Sequence, residues 1–209
     1  GCADGASVVV EKPFGRDLKS AKELNAALHA VFPEERVYRI DHYLGKEALL
    51  NLTYFRFGNR FLEPIWNREH VRSVQITMAE DFGVEGRGAF YDEAGAIRDV
   101  MQNHMLQMIA LLAMDPPASR DDESLRDAKV RVLRSMRSLD SDDVVRGRYR
   151  GFLQESGVHP DSRTETYAAA RFHIDSWRWA GVPFLVRVGK NMPVTATEVL
   201  VDLRRPPQG

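Results

Sequence analysis

The sequence predicts an α/β opening followed by an α+β body with helices and a large, mostly antiparallel sheet. Three observations predict it. Val8, Val9 and Val10 form an apolar β-branched run, followed by a turn and a helical apolar pattern, which together make half of a βαβ unit. A stretch rich in Met, Leu and Ile then gives the middle of the chain a long buried helix. The last third carries several strand-like segments with no long helix between them, as antiparallel sheets do.

Taken in order, residues 7–11 read as a short buried strand, Pro13 and Gly15 as a turn, and Asp17 as a helix cap. Leu18, Ala21, Leu24, Leu28 and Val31 recur at helical spacing, so this helix is expected to bury one stripe. Residues 37–40 form a second strand, and helical spacing resumes with Ala48, Leu49, Leu52 and Phe55. Over residues 71–80, Val74, Ile76 and Met78 alternate with Ser73, Gln75 and Thr77, the pattern of a half-buried strand. Gly83, Gly86 and Gly88 make a loop after it. A single helix is expected over residues 95–114 and a surface helix over 124–137. Strands are expected over 144–153, 167–175, 183–189 and 198–203.

Composition narrows the function classes. The 209 residues carry 29 Lys plus Arg against 30 Asp plus Glu, a net charge of -1, which argues against a nucleic-acid footprint. Hydrophobic residues at 44% and charged residues at 28% are globular usage and exclude wholesale disorder. The longest apolar run, residues 105–114, is interrupted by Gln107 and is well short of the roughly 20 residues that cross a bilayer. One cysteine, Cys2, excludes an internal disulfide framework and fits a reducing, cytoplasmic setting. The start, Gly-Cys-Ala-Asp-Gly, lacks an initiator Met and any signal-peptide pattern, so the chain is expected to begin inside a longer one.

Two segments concentrate polar chemistry. Asp41-His42-Tyr43-Leu44-Gly45-Lys46 lies where a strand gives way to a helix, a favoured anion site in α/β folds, and His42 and Lys46 add donors. The same residues also suit a capped turn with surface charges. Arg98-Asp99-Val100-Met101-Gln102-Asn103-His104 places four polar types inside an apolar helix, where such groups are paired or functional. On an α-helix Asp99 and His104 point about 140° apart, which suggests two tasks around one cavity. A satisfied core histidine with a capping aspartate is the other reading. Lys12, Glu80 and Lys190 each follow a strand, either as ligand groups or as solvated charges. His29, His70, His159 and His173 read as structural or surface residues. No zinc-ligand spacing, nucleophile elbow or Walker loop is present.

Several ordered blocks closely resemble the glucose-6-phosphate dehydrogenase family. They are Glu11-Lys12-Pro13-Phe14-Gly15, Arg39-Ile40-Asp41-His42-Tyr43-Leu44-Gly45-Lys46-Glu47, Gly86-Arg87-Gly88 and Ile97-Arg98-Asp99-Val100-Met101-Gln102-Asn103-His104. Trp177-Arg178-Trp179-Ala180-Gly181-Val182-Pro183-Phe184 and Gly189-Lys190 continue the series. The resemblance implies the tail of a Rossmann-type domain over residues 1–36 and a substrate-binding, catalytic α+β domain over 37–209. It implies oxidation of glucose 6-phosphate to 6-phosphoglucono-1,5-lactone with reduction of NADP, in the oxidative pentose phosphate pathway. His104 is then the proton acceptor and Asp41 the carboxylate that orients it. His42, Lys46 and Tyr43 form the phosphate clamp, Glu80 and Asp99 accept from sugar hydroxyls, and Lys190 reaches the substrate. Lys12 stands between substrate and cofactor, with a cis peptide before Pro13. A homodimer or homotetramer through the sheet is also implied, with no metal, nucleic-acid or membrane partner.

Two departures accompany the resemblance. No glycine-rich dinucleotide fingerprint is present, and Gly83, Gly86 and Gly88 are not expected in the strand-to-helix turn that motif requires. After Lys190, Asn191-Met192-Pro193-Val194-Thr195 supplies no basic residue. A truncated, non-catalytic sugar-phosphate-binding or dimerisation module is therefore the alternative.

Overall fold

Residues 5–45, 47–119 and 121–208 are described by the computed structural model, whose internal contacts divide the chain into two units, Gly1–Leu50 and Asn51–Gly209. In the first, strand β1 (Val8–Glu11) leads through helix α1 (Leu18–His29) to strand β2 (Val37–Ile40). The two strands pair in parallel, Val8 against Val37 through Glu11 against Ile40. That pairing carries β2 into the opening unit.

Helix α1 starts as its sequence dictates. Asp17 accepts from the Ser20 amide at 2.8 Å, and the Ser20 hydroxyl accepts from the Asp17 amide, a reciprocal cap. The expected buried stripe is not reached. No α1 residue is fully buried: Ala21, Leu24 and Leu28 are half-buried, and Leu18 is 71% exposed.

The second unit is built on a five-stranded sheet. Helix α2 (Glu47–Gly58) leads through a short 3-10 turn to strand β3 (Val71–Ala79). A bulge between Val71 and Ser73 shifts the register, so Val71, Val74 and Ile76 all face inward. Helix α3 (Gly88–Ala96), a π-helical segment (Ile97–Met105) and helix α4 (Leu106–Ala113) follow. Helix α5 (Asp122–Arg134) and strands β4 (Val144–Gly147), β5 (Tyr167–Phe172), β6 (Phe184–Gly189) and β7 (Ala196–Leu203) complete it. The strand order is β4-β5-β6-β3-β7, and β3–β6 is the parallel pair while the other neighbours run antiparallel. The sheet is thus mostly antiparallel, as expected. Its parallel pair is possible because the long helical passage after β3 supplies the crossover.

Two expected elements are subdivided. The helix over 95–114 is set off from α3 by Gly95, whose φ of 68° and ψ of 173° no α-helix accommodates, and runs first as the π segment and then as α4. The strand over 144–153 stops at Gly147. Gly151, at φ 97°, then turns the chain, and Phe152 packs with Val84, Tyr91 and Val158.

Helix α4 ends in the core, where its last carbonyls lack intrahelical partners. Side chains supply them. Arg56 donates to the Leu111 and Met114 carbonyls at 3.0 and 2.7 Å, Trp66 Nε1 to Leu112 at 2.7 Å, and Trp179 Nε1 to Ala113 at 2.7 Å. Burial lowers the Arg56 pKa to about 10, against the opposing pull of Glu63.

Candidate active site

In the first unit the candidates follow the carboxyl ends of the parallel pair. Glu11 and Ile40 are the last paired residues, so Lys12 and Asp41 come next, where α/β sheets place ligands. The Lys12-Pro13 peptide is cis, as expected. Asp41 accepts from the Tyr43 amide at 3.0 Å, and its carbonyl accepts from Leu44 at 3.0 Å. These bonds wind His42–Gly45 into one 3-10 turn. Tyr43 is buried, whereas His42 is exposed, with Nε2 3.6 Å from Glu11 Oε1. Lys46 lies outside the described residues.

The second unit repeats the logic. Ala79 and Gly189 are the last paired residues of β3 and β6, so Glu80 and Lys190 stand side by side beyond them. Lys190 Nζ donates to Glu80 Oε2 at 2.6 Å, and Lys190 is only 5% exposed. Its ammonium also lies 4.9 Å from the Phe82 ring centre and 5.4 Å from that of Tyr91, within cation–π reach. Backbone bonds lock the pair: the Glu80 amide donates to Gly189, Met192 to Glu80, and Asn191 to Phe82. Asn191, the first residue of the stretch after Lys190 that lacks a basic side chain, sits at φ 54° with its amide committed to that bond.

Asp99 and His104 lie on the π segment, half-buried and buried respectively. A π-helix bonds residue i to i+5, so residues five apart are one turn apart on one side. The 140° divergence expected from α-geometry therefore does not hold. Asn103 and Arg98 have structural duties there. Asn103 Nδ2 donates to the Arg98 carbonyl at 3.1 Å, and Arg98 Nη1 to the Glu93 carbonyl at 3.2 Å. The glycine expectation also needs correction, since Gly83, Gly86 and Gly88 do follow strand β3 and Gly88 opens α3. Their order, G-x-x-G-x-G, is still not the dinucleotide fingerprint.

Sequence reasoning missed Tyr91 and Phe82, because ordinary aromatic residues on a helix and a loop give no signal. Burial, together with the charges of Asp99, Glu80 and Glu165, pushes the Tyr91 hydroxyl well above the ordinary tyrosine range. Tyr91 stays protonated near neutrality and walls the Lys190 pocket as a neutral ring. Among the described residues no group of three or more His, Cys, Asp or Glu can hold a metal, and no helix is long and apolar enough to cross a membrane.

Charged groups follow the carboxyl ends of the parallel strands in each unit, the place where α/β folds bind ligands, and the fold is of the α/β class. The chain belongs to the glucose-6-phosphate dehydrogenase family. Residues 53–209 match the family's C-terminal domain, and residues 2–51 match its NAD binding domain. It is 54% identical over 202 residues to glucose-6-phosphate 1-dehydrogenase 1 of Mycobacterium bovis, covering 97% of this chain and 43% of the relative. The crystal structure of glucose-6-phosphate 1-dehydrogenase from Mycobacterium avium matches with a TM-score of 0.93 at 52% identity, covering 97% of this chain and 45% of that one. A glucose-6-phosphate dehydrogenase in complex with its substrate glucose-6-phosphate matches at TM-score 0.92 and 47% identity, covering 97% and 44%. The chain thus spans less than half the length of these relatives.

Proposed function

We propose that this chain is the substrate-binding and catalytic portion of an NADP-linked glucose-6-phosphate dehydrogenase. The observation that carries the reading is the pairing of the buried Lys190 with the half-buried Glu80 beyond β3 and β6, in a chain of this family. An ammonium has three donors, and with one on Glu80 the others suit the oxygens of a sugar phosphate. Glu80 and Asp99 accept from sugar hydroxyls. His104 takes the proton of the C1 hydroxyl as hydride leaves that carbon, since hydride departs readily only when the attached oxygen gains alkoxide character. By the family resemblance Asp41 supplies the carboxylate that stabilises the imidazolium, and His42, Tyr43 and Lys46 bind the phosphate.

A nicotinamide, when bound, accepts the hydride. Of the residues present, Lys12 would help hold that group, at the carboxyl end of β1 where such groups bind in α/β folds. NADP as the acceptor, the lactone product and a substrate domain beginning near residue 37 belong to the same reading. Homo-oligomerisation through the sheet is supported by Leu185 and Leu200, which flank Gln75 on its open face and are 39% and 51% exposed. The single cysteine fits a cytoplasmic setting.

The test is reduction of NADP or NAD by the full-length protein with glucose 6-phosphate. Turnover with NADP preferred is the expected result. No turnover, with glucose 6-phosphate still raising the melting temperature, would favour a sugar-phosphate-binding module. The absence of both turnover and stabilisation would overturn the reading.

A further inference from the structure

The π segment carrying Asp99 and His104 begins at a break, and its opening turn depends on a distant residue. Gly95 interrupts the helix, so the amides of Ala96 and Ile97 lie among the first donors of a new one. Both are taken by Glu165, far along the sequence. Ala96 N donates to the Glu165 carbonyl and Ile97 N to its Oε1, each at 3.0 Å. A Cβ on Gly95 would come within 2.6 Å of that Oε1, so this approach requires glycine as well as its positive φ. A carboxylate accepting N–H bonds at a helix start is favoured by both charge and dipole.

The residue after Glu165 ties the same point to the Lys190 side of the site. Thr166 is fully buried. Its amide donates to the Gly147 carbonyl at 3.0 Å, its Oγ1 accepts from the Tyr149 amide at 2.9 Å, and its carbonyl accepts from the Lys190 amide at 3.0 Å. Two consecutive residues therefore hold the start of the His104 segment and the backbone of Lys190. The Glu165 charge also acts on Tyr91 alongside those of Asp99 and Glu80, which puts it beside the same cluster.

We infer that Glu165 is a positioning residue: by capping the π segment from the start of β5, it sets the placement of Asp99 and His104 relative to Lys190 and Glu80. The inference rests on the dehydrogenase reading of this site. In the full-length protein, well below the melting temperature, Glu165→Ala should lower kcat about 10- to 100-fold, as small misplacements of reacting groups do. The KM for NADP should not move. Glu165→Gln keeps an accepting oxygen and should recover most of the loss. Amide hydrogen exchange over residues 96–105 should quicken in Glu165→Ala, with residues 122–134 unchanged. Wild-type kcat in the alanine variant, or equal loss in both variants, would overturn the role. If the wild type shows no turnover, the dehydrogenase reading fails by itself. Exchange then decides the cap: unchanged protection over 96–105 in Glu165→Ala overturns it, and local quickening sustains it.

Discussion

Lys190 keeps its charge out of water because Glu80 and two aromatic faces stand in for solvent. Removing the lysine leaves the half-buried Glu80 carboxylate without its donor, which costs about 1–3 kcal/mol. Lys190→Met should therefore lower both stability, followed by urea denaturation, and affinity for glucose 6-phosphate. Adding Glu80→Gln should restore much of the stability but none of the affinity. Recovery of both together would refute a ligand role for the lysine. Each residue was legible alone as a charge following a strand. Their pairing was not, since it depends on β3 and β6 meeting in parallel with Ala79 opposite Gly189. Tyr91 and Glu165 were illegible for a related reason: their roles come from what surrounds them.

Elements carry the next layer. Strand β3 and the Asp17 cap of α1 were readable because alternation and capping are local rules, whereas the return bond from Ser20 was not read. The π segment was not, because the apolar spacing of residues 95–114 is compatible with a continuous helix and the deviation is held by Glu165 from elsewhere. The closure of α4 is likewise tertiary. Arg56, Trp66 and Trp179 lie in three separate stretches, and the tryptophan rings meet edge to face with centres 6.5 Å apart. Trp179→Phe keeps an aromatic ring but strips the Ala113 carbonyl of its donor. It should cost about 1–3 kcal/mol, the usual penalty for an orphaned buried acceptor. Calorimetric unfolding measures it, and an unchanged melting temperature would show that the ring alone matters.

Over the whole molecule, the sequence discloses the class of fold better than its extent of burial. The strand–turn–helix opening and the strand-rich last third are both present. The stripe on α1 is amphipathic by spacing yet only half-buried at Ala21, Leu24 and Leu28, since spacing says which face is apolar and not what lies against it. Strand order is a further global property. β7 pairs with β3 across a wide sequence gap, and no local pattern encodes that choice. Function follows the same division. Ordered motifs identify the family, while the described geometry shows how each unit presents its charged groups beyond parallel strand ends.

His104 is proposed as the base of a glucose 6-phosphate oxidation, against its other reading as a satisfied core histidine. The most direct measurement is His104→Asn in the full-length protein, with kcat for NADP reduction and the Kd for glucose 6-phosphate determined side by side. Loss of kcat by about 10²- to 10⁴-fold, the usual contribution of a general base, with Kd little changed, is the predicted result. Retained turnover, or a collapse of substrate binding and folding together, would contradict it.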